Sequence, residues 1–286
     1  MQILSSVFFK RYYFEVALFL RSSLLLSSLL LNSEAWVNVT DKDIRSLEQK
    51  DEILLSKILG CEANTSNIFK YLELGIYPLK YEIMKRKILF LHYTLQQEKT
   101  SMIYKVLEAT KNNPIKNYFV NTCEKYLSFL KINMSFEQIG SMSSWKIKKL
   151  VKLKTKESAF QYLLEENQKQ SKISHVKYNE LRIQEYLFEG NINTEVSRFI
   201  FKARAKCLDI KMHKPWKYKD VLCIGCGVEI ETGDELISCK GYSNDKVMEP
   251  IFYDCFFNGK VSEMIHLAKE LKKRLKIRDK ILEEMD

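Results

Sequence analysis

The sequence predicts a mainly α-helical protein: a multi-helix body, a small cysteine-rich module toward the C-terminal end, and a charged terminal helix. Three observations lead there. Nine glycines and four prolines in 286 residues are few, which disfavours a turn-rich β-sandwich and favours long helices. Hydrophobic residues make up 46%, enough for one large core or two ordinary ones. Apolar residues recur at helical spacing through most of the chain. The expected division is 1–210 for the body, 211–258 for the cysteine module and 259–286 for the last helix.

The opening stretch, MQILSSVFFKRYYFEVALFLRSSLLLSSLLLNSEAW, imitates a signal peptide or a membrane span. Glu15 and Arg21 interrupt it, and the uninterrupted part, Ser22 to Leu31, is too short to cross a bilayer. A charge at mid-membrane also costs about 2.5–3.5 kcal/mol. Phe14 to Leu31 is therefore expected as a helix packed inside other helices. The sequons at Asn38, Asn64 and Asn133 arise at about the frequency chance allows and do not argue for secretion.

Thr40 with Asp43 predicts an N-cap. Ile44, Leu47, Leu54, Leu55, Ile58 and Leu59 then share one helical face, and Gly60 is a C-terminal stop. Gly75 and Pro78 separate a short helix from a longer one that runs to about Gln97. Asn112-Asn113-Pro114 marks a turn, and Tyr118 to Lys131 a further helix. Ser135 with Gln138 is a second capping box, before a short helix that breaks near Gly140. WKIKKLVKLKTKESAFQYLLEE is helical, and Lys169 to Tyr186 reads as a strand-like piece and a short helix. Glu195 to Cys207 is helical. The last helix carries Ala268, Leu271, Leu275 and Leu282 as a narrow apolar seam.

Of the seven cysteines, Cys61, Cys123 and Cys207 are isolated, whereas Cys223, Cys226, Cys239 and Cys255 cluster. Clustering suits a reduced compartment and a metal site rather than a disulfide framework. Cys223 and Cys226 form a Cys-x-x-Cys pair whose turn can bring two sulfurs to one ion, helped by Gly225 and Gly227. Cys239 is a third ligand within reach. Cys255, Glu235, His213 and His266 are candidates for the fourth, and Cys255 is preferred as the softest donor; thiolates select zinc. A thioredoxin-like role is disfavoured because no βαβ pattern surrounds the pair.

The net charge of +10 favours an anionic partner. Lys146, Lys148, Lys149 and Lys152 belong to a run with no acid before Glu157. A second concentration holds Lys202, Arg204, Lys206, Lys211, Lys214 and Lys217 around Trp216 and Tyr218. Cations between aromatics suit a phosphate backbone with bases stacked beside it. Catalytic candidates are poor. The four histidines form no nucleophile motif, and His92 and His175 read as structural. There is no P-loop or G-x-G-x-x-G, and Asp41-x-Asp43 is explained by helix capping.

Three separated blocks then carry a resemblance. LLLSSLLLNSEAWVNVTDKDIRSLEQKDEILLSKIL, YLELGIYPLKYEIMKRKILFLHYTL and FIFKARAKCLDIKMHKPWKYKDVLCIGCG are similar, in that order, to the region after the polymerase palm in non-LTR retrotransposon reverse transcriptase polyproteins. The resemblance covers about Tyr13 to Cys239. It implies a nucleic-acid-binding fragment of an RNA-directed DNA polymerase, intracellular and contacting template RNA or target DNA, with a zinc knuckle. Two departures stand out. Glu235 occupies the position where the family carries the knuckle histidine, which turns attention to Cys255. The family's Tyr-x-Asp-Asp box is absent, so Mg²⁺ would enter only with a palm supplied elsewhere. The alternatives are a polymerase completed by a palm-bearing chain and a non-functional or membrane-associated product.

Overall fold

The computed structural model describes residues 13–36, 39–111, 118–171, 174, 176–188, 192–242 and 252–285. The predicted turn at Asn112-Asn113-Pro114, the Asn38 sequon and His175 lie outside them. Among the described residues the protein is mainly helical, with two isolated β-bridges and no strand.

The first helical run comprises α1 (Tyr13–Leu20), a π-turn over Arg21–Leu25 and α2 (Leu26–Leu29). It buries Phe14, Ala17, Leu26 and Leu30. Arg21 does not face water: Nε and Nη2 grip the Asp51 carboxylate at 2.7 and 2.6 Å, inside the fold. The charge that argues against a membrane span is thus half of a buried ion pair. The expectation of a helix surrounded by others needs correcting, because Phe19, Leu24 and Leu31 are exposed among the described residues. The run lies along the surface and buries one face only.

Thr40 accepts the Asp43 N–H and Asp43 accepts the Thr40 N–H, so the predicted capping box starts α3 (Asp41–Leu59). Gly60 ends it at φ 64°, a conformation cheap only for glycine. Ser66 caps α4 (Asn67–Glu73). Gly75 (φ 65°) follows, where a side chain would overlap the Arg182–Ile183 backbone. Pro78 then precedes α5 (Leu79–Leu95). After α6 (Met102–Lys111) and α7 (Tyr118–Phe129), the predicted Ser135–Gln138 box opens α8 (Phe136–Ser141). The basic segment forms α9 (Ser144–Gln168).

Between α9 and α10 (Glu185–Phe188) the chain is irregular, touching the body through the Leu74–Ile183 bridge. α11 (Thr194–Arg204) leads to a 3₁₀ turn at Pro215–Lys217, a two-residue bridge between Leu222 and Ile230, and α12 (Gly233–Ser238). α13 (Phe252–Asn258) and α14 (Val261–Met285) complete the order.

Two apolar cores result. Tyr81, Ile88, Leu91, Leu127, Ile139 and Val151 join α5 to α9 in the first. Leu59, Phe69, Phe201, Ile237, Phe256 and Leu271 lie in the second, which also takes in Cys223, Cys239 and Cys255. α9 reaches both, through Val151 and Leu163.

The second core is pinned by Glu73, which is fully buried. Its carboxylate accepts from Tyr178 Oη at 2.5 Å and from Tyr186 Oη, and pairs with Arg204 Nη2 at 3.0 Å. Arg204 also donates to the Phe256 carbonyl. Every lone pair facing the charge is thereby used, which is what makes a buried ion tolerable.

Candidate metal centre and basic surface

Local sequence shapes the knuckle before tertiary contacts complete it. Cys223 N–H donates to Glu229 O at 2.7 Å, and Gly227 N–H turns back to Cys223 O at 2.7 Å. Gly227 takes φ 69°, so the chain reverses at the second cysteine. Thr232 accepts the Glu235 N–H at 2.9 Å, capping α12 and fixing Glu235 in its first turn. Cys239 ends the same helix. The loop and the helix therefore face each other.

Donor atoms of Cys223, Cys226, Glu235 and Cys239 all lie within 4.8 Å of one another. Cys223 Sγ stands 3.6 Å from Cys239 Sγ, and Cys226 Sγ stands 3.3 Å from Glu235 Oε1. Together these residues can hold a metal ion. The preferred fourth ligand is corrected here: Glu235 joins the three sulfurs, while Cys255 sits in the apolar core on α13, outside the group. Register explains the choice. Glu235 is one turn before Cys239 on the same helix, and that places both donors on one side. His213 is buried and His266 exposed, and neither belongs to the group.

Burial pushes the Cys223 thiol up and the Cys239 thiol up to about 12. Without a cation both therefore hold their protons at neutral pH, and a metal ion must displace them. Around the donors, Tyr242 Oη lies 3.3 Å from Cys223 Sγ and accepts the Gly225 N–H at 3.0 Å. Arg274 Nη1 donates to Leu236 O at 3.2 Å and Cys239 O at 3.3 Å, at the C-terminal end of α12. Arg278 pairs with the fully buried Glu231 at 2.8 Å. Glu231 Oε1 also accepts the Lys211 N–H at 2.9 Å, locking the bridge to the segment before it. α14 thus delivers two buried cations beside a site that would carry three thiolates and a carboxylate.

Neither arginine was legible in the sequence, nor was Glu231. A cation one turn from an apolar seam reads as solvated, and nothing local announces that its partner is buried.

The basic residues divide. Lys146, Lys148, Lys149 and Lys152 are exposed on α9. Lys149 Nζ lies 5.1 Å from the ring centroid of Trp145, itself 66% exposed. Trp145 escaped the reading of the sequence, although its four-residue spacing to Lys149 was the available signal. In the second concentration, Lys202, Lys206 and Lys214 are half-buried, and Trp216 and Lys217 exposed. Tyr218 hydrogen-bonds Asp209 at 2.9 Å, and the Arg278 guanidinium lies 5.1 Å from its ring. Two members are corrected. Arg204 is 4% exposed and committed to Glu73. Lys211 is buried and pairs with Asp220 at 2.6 Å. Neither can face a phosphate backbone. His92, also buried, sets Nε2 3.0 Å from Met142 O, a structural role.

Fold and site define a mainly helical protein with a candidate metal centre. No family model, curated protein or solved structure matches the chain. No described helix is long and apolar enough to cross a membrane.

Proposed function

We propose that the protein is an intracellular nucleic-acid-binding fragment of a retrotransposon-type reverse transcriptase polyprotein. In this reading a structural zinc ion holds its knuckle, and its lysine face contacts RNA or DNA phosphates. The observation that carries binding is the α9 face. Trp145, Lys149, Lys152 and Lys156 follow one another at positions i, i+4, i+7 and i+11, so they form one stripe, flanked by Lys146 and Lys148. The Lys154–Glu157 pair is the ion pair found within this stretch among the described residues. An exposed cationic stripe with an indole in it suits phosphates and an unstacked base. The three-block resemblance supplies the family.

Zinc fits the donors present. A tetrahedral ion with Zn–S bonds of about 2.3 Å spaces its sulfurs about 3.8 Å apart, and a sulfur and a carboxylate oxygen about 3.6 Å apart. The distances of 3.6 and 3.3 Å are close to those edges. Four protein ligands leave no position open, so the ion shapes the loop rather than activating water.

The test is fluorescence-anisotropy titration with single-stranded RNA across salt concentrations, beside zinc analysis of the purified chain. Replacing Lys146, Lys148, Lys149 and Lys152 by Ala should lower the steepness of log K against log salt by about 2–3, at about 0.7 per phosphate contact. Unchanged affinity and slope would refute the face as the contact surface.

A second reading, completion of a polymerase by a palm-bearing chain that brings Mg²⁺, is favoured by the exposed Phe19, Leu24 and Leu31, a surface suited to covering by protein. It predicts primer extension only when both chains are mixed.

A further inference from the structure

A cleft of about 450 Å³ opens where four segments converge: the turn after α3, the end of α9, the end of α11 and the 3₁₀ turn that carries Trp216. Lys169, Lys206 and Lys214 line it, together with Glu62, Gln170 and Trp216. None of these is close to all the others in sequence, so the convergence is a product of the fold.

Trp216 is 69% exposed. The turn holding it is braced, because Pro215 fixes its own φ and Asp209 binds the two residues that follow, Lys217 at 2.5 Å and Tyr218 at 2.9 Å. The indole is therefore presented to solvent from a braced backbone, as a stacking platform must be. Lys206 ends α11 in the left-handed region at φ 49°. Glycine is the usual residue there, and a lysine costs about 1–2 kcal/mol while adding a cation to the cleft wall.

Lys214 and Lys169 already hold anions. Lys214 Nζ meets Glu62 Oε1 at 2.5 Å and lies 3.9 Å from Asp209 Oδ1, and Lys169 Nζ meets Glu166 Oε1 at 2.5 Å. Pairs between partly exposed groups contribute about 0–1 kcal/mol, so a phosphate can displace either carboxylate. An anion that takes the place of these carboxylates on the lysines is the matching ligand. The volume falls within the range of about 300–1,000 Å³ typical of small-ligand sites. That accommodates one base with its phosphate, and stacking on an indole calls for an unpaired base.

We propose that this cleft binds one nucleotide unit of a single-stranded nucleic acid, its base on the Trp216 indole and its phosphate on the lysines, with Glu62 as an internal competitor for Lys214. The assignment rests on the nucleic-acid reading above and gives it a second, strand-selective contact.

The experiment titrates the full chain against fluorescein-labelled oligouridine RNA and oligothymidine DNA, with a duplex of matching length for comparison. Trp216→Ala should weaken single-strand binding about 5- to 100-fold, the range expected for one stacked base, and Trp216→Phe should recover part of the loss. Glu62→Gln should tighten binding several-fold by removing the nearer of the two carboxylates on Lys214, an effect that damage to the fold would not produce. If both variants bind as the parent does while the α9 lysine variant loses affinity, the cleft is overturned and the lysine face stands. If the duplex binds as well and loses as much with Trp216→Ala, the single-strand assignment is overturned. Absence of binding to any strand overturns both readings.

Discussion

Gly225 gives the sharpest test of the metal centre, because its missing side chain is what lets Cys239 approach Cys223. A Cβ placed at 225 would stand 3.0 Å from Cys239 Sγ and 3.0 Å from Tyr242 Cζ, where ordinary contact begins at 3.4 Å. Sulfur and ring must then each withdraw by about 0.4 Å, twice the deviation of about 0.2 Å that ligand distances tolerate. Gly225→Ala should therefore weaken zinc binding at least ten-fold, about 1.4 kcal/mol. Competition against a chromophoric chelator reads the change directly. Gly227→Ala is the control. Its φ of 69° makes alanine strained, yet nothing lies within 4 Å of the added carbon. It should cost about 1–2 kcal/mol of stability and leave zinc affinity within about three-fold, the sulfur positions being untouched. If Gly225→Ala binds zinc as tightly as the parent, Cys239 is not a ligand and the reasoning fails.

Three further outcomes are expected. Glu235→Ala should lower zinc affinity and Cys255→Ala should leave it unchanged, as measured by the same competition; the opposite ranking would restore Cys255 as the fourth ligand. Arg204→Met should destabilise the fold by about 3–5 kcal/mol, because it leaves the Glu73 carboxylate buried without its cation; chemical denaturation showing a loss under 1 kcal/mol would contradict that. Burial pushes the Cys123 thiol up to about 12, above its ordinary value of about 8.5. Its contribution to stability is thus whole below that ordinary value and lost as pH rises toward 12. Between pH 9 and 11 the parent should lose about 1.4 kcal/mol per pH unit more than Cys123→Ala; parallel pH profiles would show that the thiol is not protected.

What the sequence disclosed and what it withheld divide along physical lines. The Thr40–Asp43 and Ser135–Gln138 boxes and the left-handed Gly60 are local, since each needs only neighbours within one turn. The same holds for Cys223 and Cys226, three residues apart, whereas Cys239 reaches them only from the end of α12. The fourth donor turned on a comparison that spacing cannot make. Cys255 is the better ligand chemically, but Glu235 shares a helix with Cys239. Buried charge was the least visible feature. Arg21, Arg204, Arg274 and Arg278 look like surface cations in a linear reading, and each is under 9% exposed. The partners of Arg21 and Arg204 are far along the chain, Glu73 and Arg204 being 131 residues apart. The cleft at Trp216 was hidden for the same reason, since Glu62, Lys169 and Lys214 meet only after folding.

The bracing of the knuckle by α14 bears on the order in which the site is built during synthesis. Cys223, Cys226, Glu235 and Cys239 leave the ribosome before Arg274 and Arg278, which hold the Leu236 and Cys239 carbonyls and Glu231. The four donors are thus available to an ion while Glu231 and those carbonyls still face water. Capture of an ion by the nascent loop would thus precede α14, whose later arrival occupies Glu231 and those carbonyls. Cys226 stays exposed once α14 has docked, so this helix braces the candidate site through its backbone and Glu231 without sealing it.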